Sequence, residues 1–204
     1  MRTPRGFTLI EVMLALALAA VVLVTAFGAL RVGASAWERA EARADAQHHD
    51  RAIVQLLART VGAAAPYVAA PRGGDSGGLL FEGSSVRLAF ASSAAPLAFD
   101  VPVAYTAVVI ELTPEPRPGL TVRQRVLPAA EPFSPGDPVL VDASVAFLEL
   151  RYRRDDGSWQ DSWDARKEQG LPVAVEVTLG SATGPGARGG DRPPLVIPIA
   201  VARP

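Results

Sequence analysis

The sequence predicts an α+β fold, in which a long N-terminal helix with a transmembrane first half packs on antiparallel β-sheets. Three observations predict this class. The chain is apolar from Phe7 to about Leu30, and no proline follows until Pro66, so one helix can extend from Phe7 to about Gly62. Beyond it, short runs alternate apolar and polar residues, as half-buried strands do. No helical pattern separates these runs, which favours antiparallel pairing.

The first half of the helix, residues 7–30, has the length and composition of a membrane span. About 20 apolar residues cross the hydrocarbon core of a bilayer, and Glu11 is the single charged residue in this run. A charge inside a span costs roughly 2.5–3.5 kcal/mol, so it usually has a partner and a function. Arg2 and Arg5 precede the span. By the positive-inside tendency they place the N-terminus in the cytoplasm and the rest of the chain outside the inner membrane.

The second half of the helix, residues 31–62, is predicted to be an amphipathic continuation. Ile53, Leu56, Leu57 and Val61 recur at helical spacing, and charged residues occupy much of the remaining surface. Such an apolar stripe predicts packing on a sheet. Gly62, with a proline four residues later, ends the helix.

A β-rich domain is predicted for residues 63–204. The expected strands cover residues 79–81, 86–90, 103–112, 121–127, 139–141, 145–153, 173–179 and 195–201. Runs rich in proline or glycine at 71–78, 114–119, 128–138 and 184–190 predict turns and loops. Asp156-Gly157 is typical of a hairpin turn, and Trp159 and Trp163 are expected as buried anchors beneath the last strands.

Composition argues against several classes of function. The 204 residues carry a formal net charge of -1, which gives no reason to expect nucleic acid as a partner. The chain has no cysteine, which excludes disulfides, cysteine nucleophiles and thiolate metal sites. His48 and His49 would point about 100° apart on a helix, so they do not easily share one tetrahedral metal site. The aspartates from Asp155 to Asp164 do not have the spacing of an EF-hand loop. The sequence therefore predicts no catalytic residue, metal or cofactor.

The string Gly6-Phe7-Thr8-Leu9-Ile10-Glu11 closely resembles the type IV prepilin cleavage and methylation motif. In that family a membrane prepilin peptidase cuts after the glycine and methylates the new N-terminus. The resemblance implies a leader peptide of residues 1–6, cleavage between Gly6 and Phe7, and N-methylation of Phe7. It also implies that Glu11 meets the N-terminal amine of a neighbouring subunit during assembly. A buried carboxylate is tolerable when it pairs with a cation, which agrees with this role.

A second, less specific resemblance lies near the C-terminus. Trp159-Gln160-Asp161-Ser162-Trp163-Asp164, followed by Leu171-Pro172 and a valine-rich strand, resembles the end of the J-type minor pseudopilin of the type II secretion system. This resemblance implies a structural subunit, not an enzyme, at the tip of a periplasmic pseudopilus that supports export of folded proteins. The implied partners are the I-, K- and H-type minor pseudopilins, the pseudopilus and the inner membrane. Family members meet partly through their helices, so Trp37, Ile53 and Leu57 are expected at a partner interface.

Other interpretations stay open at this point. A minor pilin of a type IV pilus shares the N-terminal motif. A membrane-anchored periplasmic binding module or enzyme would keep an uncut N-terminus and have a ligand pocket in the β domain. A secretory signal peptide could be cleaved after Ala34-Ser35-Ala36, but the apolar run is long and no turn or polar break follows it. A plain signal anchor leaves the charge of Glu11 as an unexplained cost.

Overall fold

The computed structural model describes residues 8–70, 77–97, 99, 102–113, 119–181 and 193–200. These residues form an N-terminal apolar helix followed by antiparallel strands, which confirms the predicted α+β class. The elements in chain order are α1 (Leu9–Gly62), β1 (Val68–Ala69), β2 (Gly78–Leu79), β3 (Phe81–Gly83), β4 (Arg87–Ser92), β5 (Thr106–Thr113), β6 (Gly119–Val126), β7 (Leu140–Asp142), β8 (Val145–Arg153), β9 (Trp159–Gln160), β10 (Trp163–Asp164), α2 (Ala165–Glu168), β11 (Ala174–Ser181) and β12 (Leu195–Pro198). The chain divides into two compact units, Met1–Ala52 and Ile53–Pro204.

The long helix ends where the sequence predicts, at Gly62. Its last turn is tied to the segment that follows β4. The Arg59 side chain donates hydrogen bonds to the carbonyl oxygens of Ala95 at 3.2 Å and Pro96 at 3.0 Å. The Ser92 hydroxyl donates to the carbonyl oxygen of Thr60 at 2.8 Å. The Ser92 bond satisfies a carbonyl group in the last turn of the helix, and the three bonds together fix this turn against the segment after β4.

The described strands of the second unit form two sheets and a two-stranded ribbon, and all of these strand pairs are antiparallel. The six-stranded sheet has the order β10-β3-β4-β5-β6-β7, the four-stranded sheet has the order β12-β11-β8-β9, and β1 pairs with β2. The segment from Trp159 to Asp164 joins the sheets, because it supplies an edge strand first to the four-stranded sheet and then to the six-stranded one.

The main core combines side chains from the end of α1 and from both sheets. The helix contributes Ile53, Leu57 and Val61, and the sheets contribute large buried residues such as Phe90 and Val175. Complete burial of one such side chain is worth roughly 1.5–3 kcal/mol. The apolar stripe on the helix therefore packs on the sheets, as the sequence predicts.

The predicted alternation of β8 and β11 is confirmed. Leu148, Leu150 and Tyr152 are buried, whereas Glu149 and Arg153 between and beside them are exposed. The predicted and observed limits of β8 coincide. Period-two patterns predict correctly where one face of a sheet meets the core and the other meets solvent.

A strand is present where residues 86–90 predict one, but the prediction that it is half-buried is wrong, because β4 is buried on both faces. Ala89 and Ala91 point away from the main core and are still completely buried. A second apolar cluster covers part of this outer face. Its buried members are Ala91, Ala107 and Leu127, and Tyr67, Leu80, Ala129 and Phe133 pack against it. The proline-rich segment after β6 therefore folds back over the sheet, which the local pattern does not predict.

Several short elements differ from the sequence-based expectation. The strand expected at 79–81 is divided between β2 and β3, and β1, β9, β10 and α2 were not predicted. Trp163 is buried as expected, and its indole Nε1 donates to the Gly170 carbonyl oxygen at 2.9 Å. Trp159 is only half-buried, so its predicted burial is wrong. It lies on an edge strand, where the guanidinium groups of Arg151 and Arg153 stand 5.9 Å from its ring. Most of the loop expected at 71–78, most of the turn expected at 114–119 and all of the glycine-rich loop at 184–190 fall outside the described residues.

Tyr152 is the largest completely buried side chain in the core. Its hydroxyl donates to the Ser84 carbonyl oxygen at 2.9 Å, which links the two sheets. Burial away from solvent raises the pKa of the Tyr152 phenol far above its ordinary value. The folded chain therefore holds this proton more tightly than the unfolded chain does.

We expect the folded chain to lose stability at alkaline pH, because the unfolded chain releases the Tyr152 proton at a lower pH than the folded chain does. Tyr152 makes its full contribution to the free energy of unfolding below the pKa of its phenol in the unfolded chain, about 10. This contribution is lost as pH rises from there towards the higher pKa of the phenol in the folded chain. The free energy of unfolding should then fall by up to about 1.4 kcal/mol per pH unit. Urea unfolding between about pH 9 and pH 11.5 measures this fall. Tyr152→Phe, which keeps the ring, should lack it; parallel losses in the two proteins would contradict the prediction.

Candidate functional site

The candidate functional site is the N-terminal part of α1. Leu9–Gly28, a stretch of 20 residues, is long and apolar enough to cross a membrane. Large apolar side chains are exposed on every side of this stretch, among them Leu9, Leu14, Val21, Val24 and Phe27. A helix that is apolar all round is stable when lipid or neighbouring helices surround it. The stretch therefore has the properties of a single membrane anchor.

Thr25 shows how this stretch tolerates a polar side chain. Its hydroxyl lies 3.0 Å from the Val21 carbonyl oxygen and 2.9 Å from the Val22 carbonyl oxygen, so it can donate to its own helix. A hydroxyl satisfied in this way needs no partner from outside the helix.

Glu11 has no comparable solution within the span. It lies in the first turn of α1, where its backbone N–H donates to the Thr8 carbonyl oxygen at 3.1 Å. A carboxylate at a helix N-terminus gains about 0.3–1 kcal/mol from the helix dipole. A charge at the centre of a span costs roughly 2.5–3.5 kcal/mol. Glu11 is the third residue of the span, so this figure is an upper limit for its cost, and the dipole offsets part of it.

The positive charges of the chain are poorly placed to pair with Glu11. The next basic residue after it is Arg31, 20 positions later, which corresponds to about 30 Å along a helix. Arg2 and Arg5 lie in the segment expected to be removed with the leader. Within the described residues of α1, no basic side chain therefore lies within a few turns of Glu11.

The structure separates the residues that the sequence analysis assigned to processing, assembly and partner contact. Gly6 and Phe7 lie outside the described residues. Glu11 is exposed, and Trp37 is 75% exposed. Ile53 and Leu57 are only 6% and 1% exposed, because their side chains belong to the core of the second unit. Of the three residues expected at a partner interface, Trp37 alone has its side chain available on the surface.

The polar groups weighed as metal ligands have other surroundings. His48 and His49 are exposed. Asp156 accepts hydrogen bonds from the Ser158 backbone N–H at 2.8 Å and from its hydroxyl at 2.6 Å, which lowers the pKa of Asp156 and builds the predicted turn. Asp164 accepts from the Arg166 backbone N–H at 3.0 Å and caps α2. Among the described residues, no group of three or more His, Asp or Glu side chains could hold a metal ion.

The second unit contains a groove that the sequence does not predict. It has a volume of about 660 Å³ and lies between the β1–β2 ribbon and the proline-rich segment of residues 127–135. The prolines in this segment predicted an irregular connection only. No local pattern indicates that the connection folds back over β4, so the groove has no signal in the sequence alone.

A known protein family matches the N-terminal part of the chain. Residues 1–27 match the family model of the prokaryotic N-terminal methylation motif. No curated protein matches the chain significantly. The matched residues include Gly6 to Glu11 and most of the apolar stretch of α1. The match supports a type IV pilin-like or pseudopilin protein with an N-terminal membrane anchor, and it favours a structural role over an enzymatic one.

Proposed function

We propose that this chain is a J-type minor pseudopilin of the type II secretion system, a structural subunit of the pseudopilus tip complex that supports export of folded proteins. The observation that carries the proposal is Glu11, a lone carboxylate in an exposed apolar helix within the matched methylation motif. Its charge requires a partner that the rest of the span does not supply.

Processing would create that partner. Cleavage between Gly6 and Phe7 would leave an amine four residues before Glu11. A methylated amine keeps its positive charge, so Phe7 of a neighbouring subunit can pair with Glu11. Loss of one member of a buried ion pair costs about 3–5 kcal/mol, because the other charge stays uncompensated. The pair would therefore favour assembled subunits over isolated ones in the membrane.

The C-terminal resemblance is the support for the J type, and the residues that carry it have structural roles. Trp159 to Asp164 join the edges of the two sheets, and the Trp163 indole is hydrogen-bonded to Gly170. Leu171 and Pro172 are buried before β11, an interior strand of the four-stranded sheet. The similarity thus concerns a segment on which the fold depends.

The proposal includes a location and partners. The chain crosses the inner membrane once, with its N-terminus in the cytoplasm and its β domain in the periplasm. Trp37 lies nine residues beyond Gly28, or about 13.5 Å along the helix, which exceeds the roughly 5–8 Å thickness of the headgroup region. In this placement the exposed ring lies beyond the lipid, and we propose that the helix of an I-, K- or H-type subunit covers it.

The intact mass of the protein from native membranes tests the processing step. We expect loss of residues 1–6 and the gain of one methyl group on Phe7. Co-purification with I- and K-type subunits then tests the J-type assignment. A full-length, unmethylated chain in a host with active prepilin peptidase would overturn the proposal and favour a membrane-anchored binding domain, for which the groove would be the pocket.

A minor pilin of a type IV pilus is the second candidate, because the same match to residues 1–27 favours it. It predicts the same change of mass. Co-purification with type IV pilus subunits and not with I- and K-type subunits would select it.

A further inference from the structure

The groove of the second unit is lined on one side by a wall that is poor in hydrogen-bond donors. This wall, residues 127–135, contains Pro128, Pro132 and Pro135. Proline has no backbone N–H, so it offers a carbonyl acceptor without a donor. Two donors that the wall does contain are satisfied within it: the Ser134 N–H and hydroxyl both donate to the Glu131 carbonyl oxygen, at 3.3 and 3.1 Å. A ligand that brings donors would complement this wall.

The charged residues that line the groove are mostly acidic. They are Glu82, Glu131, Asp164 and Arg166. Glu82 pairs with Arg87 at 2.8 Å, and Asp164 caps α2. Glu131 is exposed, and among the residues that the structure describes it has no ion pair. Its carboxylate is therefore available to a cation from outside the chain.

The remaining lining is apolar and aromatic. Leu80, Phe133 and Tyr67 pack on the second cluster and also face the groove. Aromatic rings attract guanidinium and ammonium groups as well as apolar surface. The volume of about 660 Å³ lies within the range of ligand sites in proteins. A ligand that complements this surface would combine apolar groups, hydrogen-bond donors and a positive charge.

We propose that the groove binds a segment of another polypeptide that combines aliphatic side chains with an arginine or a lysine. A polypeptide supplies backbone N–H donors at regular intervals for the proline wall. Its aliphatic side chains would cover the second cluster, and its basic side chain would pair with Glu131. The inference uses only the second unit, so it does not depend on the processing of Phe7.

The test uses the full-length chain in detergent micelles and a positional-scanning hexapeptide library. We expect pools that contain Arg or Lys beside Val, Leu or Ile to be retained about tenfold more than the matching Asp or Glu pools. Equal retention of basic and acidic pools would overturn the proposal, and so would a library from which no pool is retained.

Two variants and a matched control locate the binding. Glu131→Gln should abolish the preference for basic pools, and Ala130→Trp, at an exposed position of the wall, should block retention of all pools. Glu149→Gln changes an exposed carboxylate on β8, in the other sheet, and should bind as the wild type does. If Glu149→Gln lost the preference as fully as Glu131→Gln, the attraction would be a general effect of charge and the groove would not be the site.

Discussion

Replacement of Gly83 by alanine is expected to lower the free energy of unfolding by about 3 kcal/mol. A Cβ atom at this position would overlap the hydroxyl and ring of Tyr152 and would lie 2.8 Å from its Cε1. The ring has no room to retreat, because Tyr152 is completely buried and packs edge-on against Phe81 with their centroids 6.3 Å apart. Any movement of the ring also breaks the hydrogen bond to the Ser84 carbonyl oxygen.

The midpoint of urea unfolding, followed by tryptophan fluorescence of the full-length chain in micelles, measures this loss. Gly170→Ala is the matched control, since a Cβ atom there would have no atom within 4 Å. It should change the free energy of unfolding by less than about 0.5 kcal/mol. Equal midpoints for Gly83→Ala and Gly170→Ala would show that the core around Tyr152 adapts, contrary to this prediction.

Glu11→Gln is expected to remove the chain from its assembly without unfolding it. The substitution keeps the shape of the side chain and removes its charge, so a neighbouring N-terminal amine would be left unpaired in a medium of low dielectric constant. The cost of about 3–5 kcal/mol corresponds to association weakened at least roughly 100-fold. In a deletion strain complemented with the variant, tip complexes recovered by co-purification should fall accordingly, and secretion should fall with them.

Glu149→Gln provides the control for Glu11→Gln. Glu149 is an exposed carboxylate on β8, away from α1 and from the proposed contact at Trp37. Its replacement should leave tip complexes and secretion unchanged. Normal complexes and normal secretion with Glu11→Gln would disprove the role of its charge, whatever the state of the N-terminus.

The parts of the fold that the sequence predicts correctly are those with local causes. The helix ends at Gly62, a residue type of low helix propensity, and Pro66 has no backbone N–H with which to extend the helical hydrogen bonds. β8 follows its period-two pattern because Leu148 and Leu150 face one core while Glu149 faces solvent. In both cases the residues that decide the structure are close together in the chain.

The parts that the sequence does not predict depend on contacts between distant residues. Ala89 and Ala91 become buried only because the segment after β6 returns over their face of the sheet. Trp163 is buried and Trp159 is only half-buried, although both are tryptophans, since β9 and β10 lie at the edges of different sheets. For the candidate site, the motif at Gly6 to Glu11 is evident from the sequence alone. The burial of Ile53 and Leu57 depends on the sheets against which they pack, so the sequence does not predict it.

The placement of Ile53, Leu57 and Val61 in the main core also determines where the chain can be cut. The sequence predicts a β domain that begins at residue 63, whereas the second compact unit begins at Ile53. A soluble fragment that starts at residue 63 would lose three core side chains and the Arg59 bonds to Ala95 and Pro96. Its sheets would present an open apolar slot to solvent, which favours aggregation. The last turns of α1 are thus an internal part of the second unit, and a fragment for crystallisation must start before Ile53.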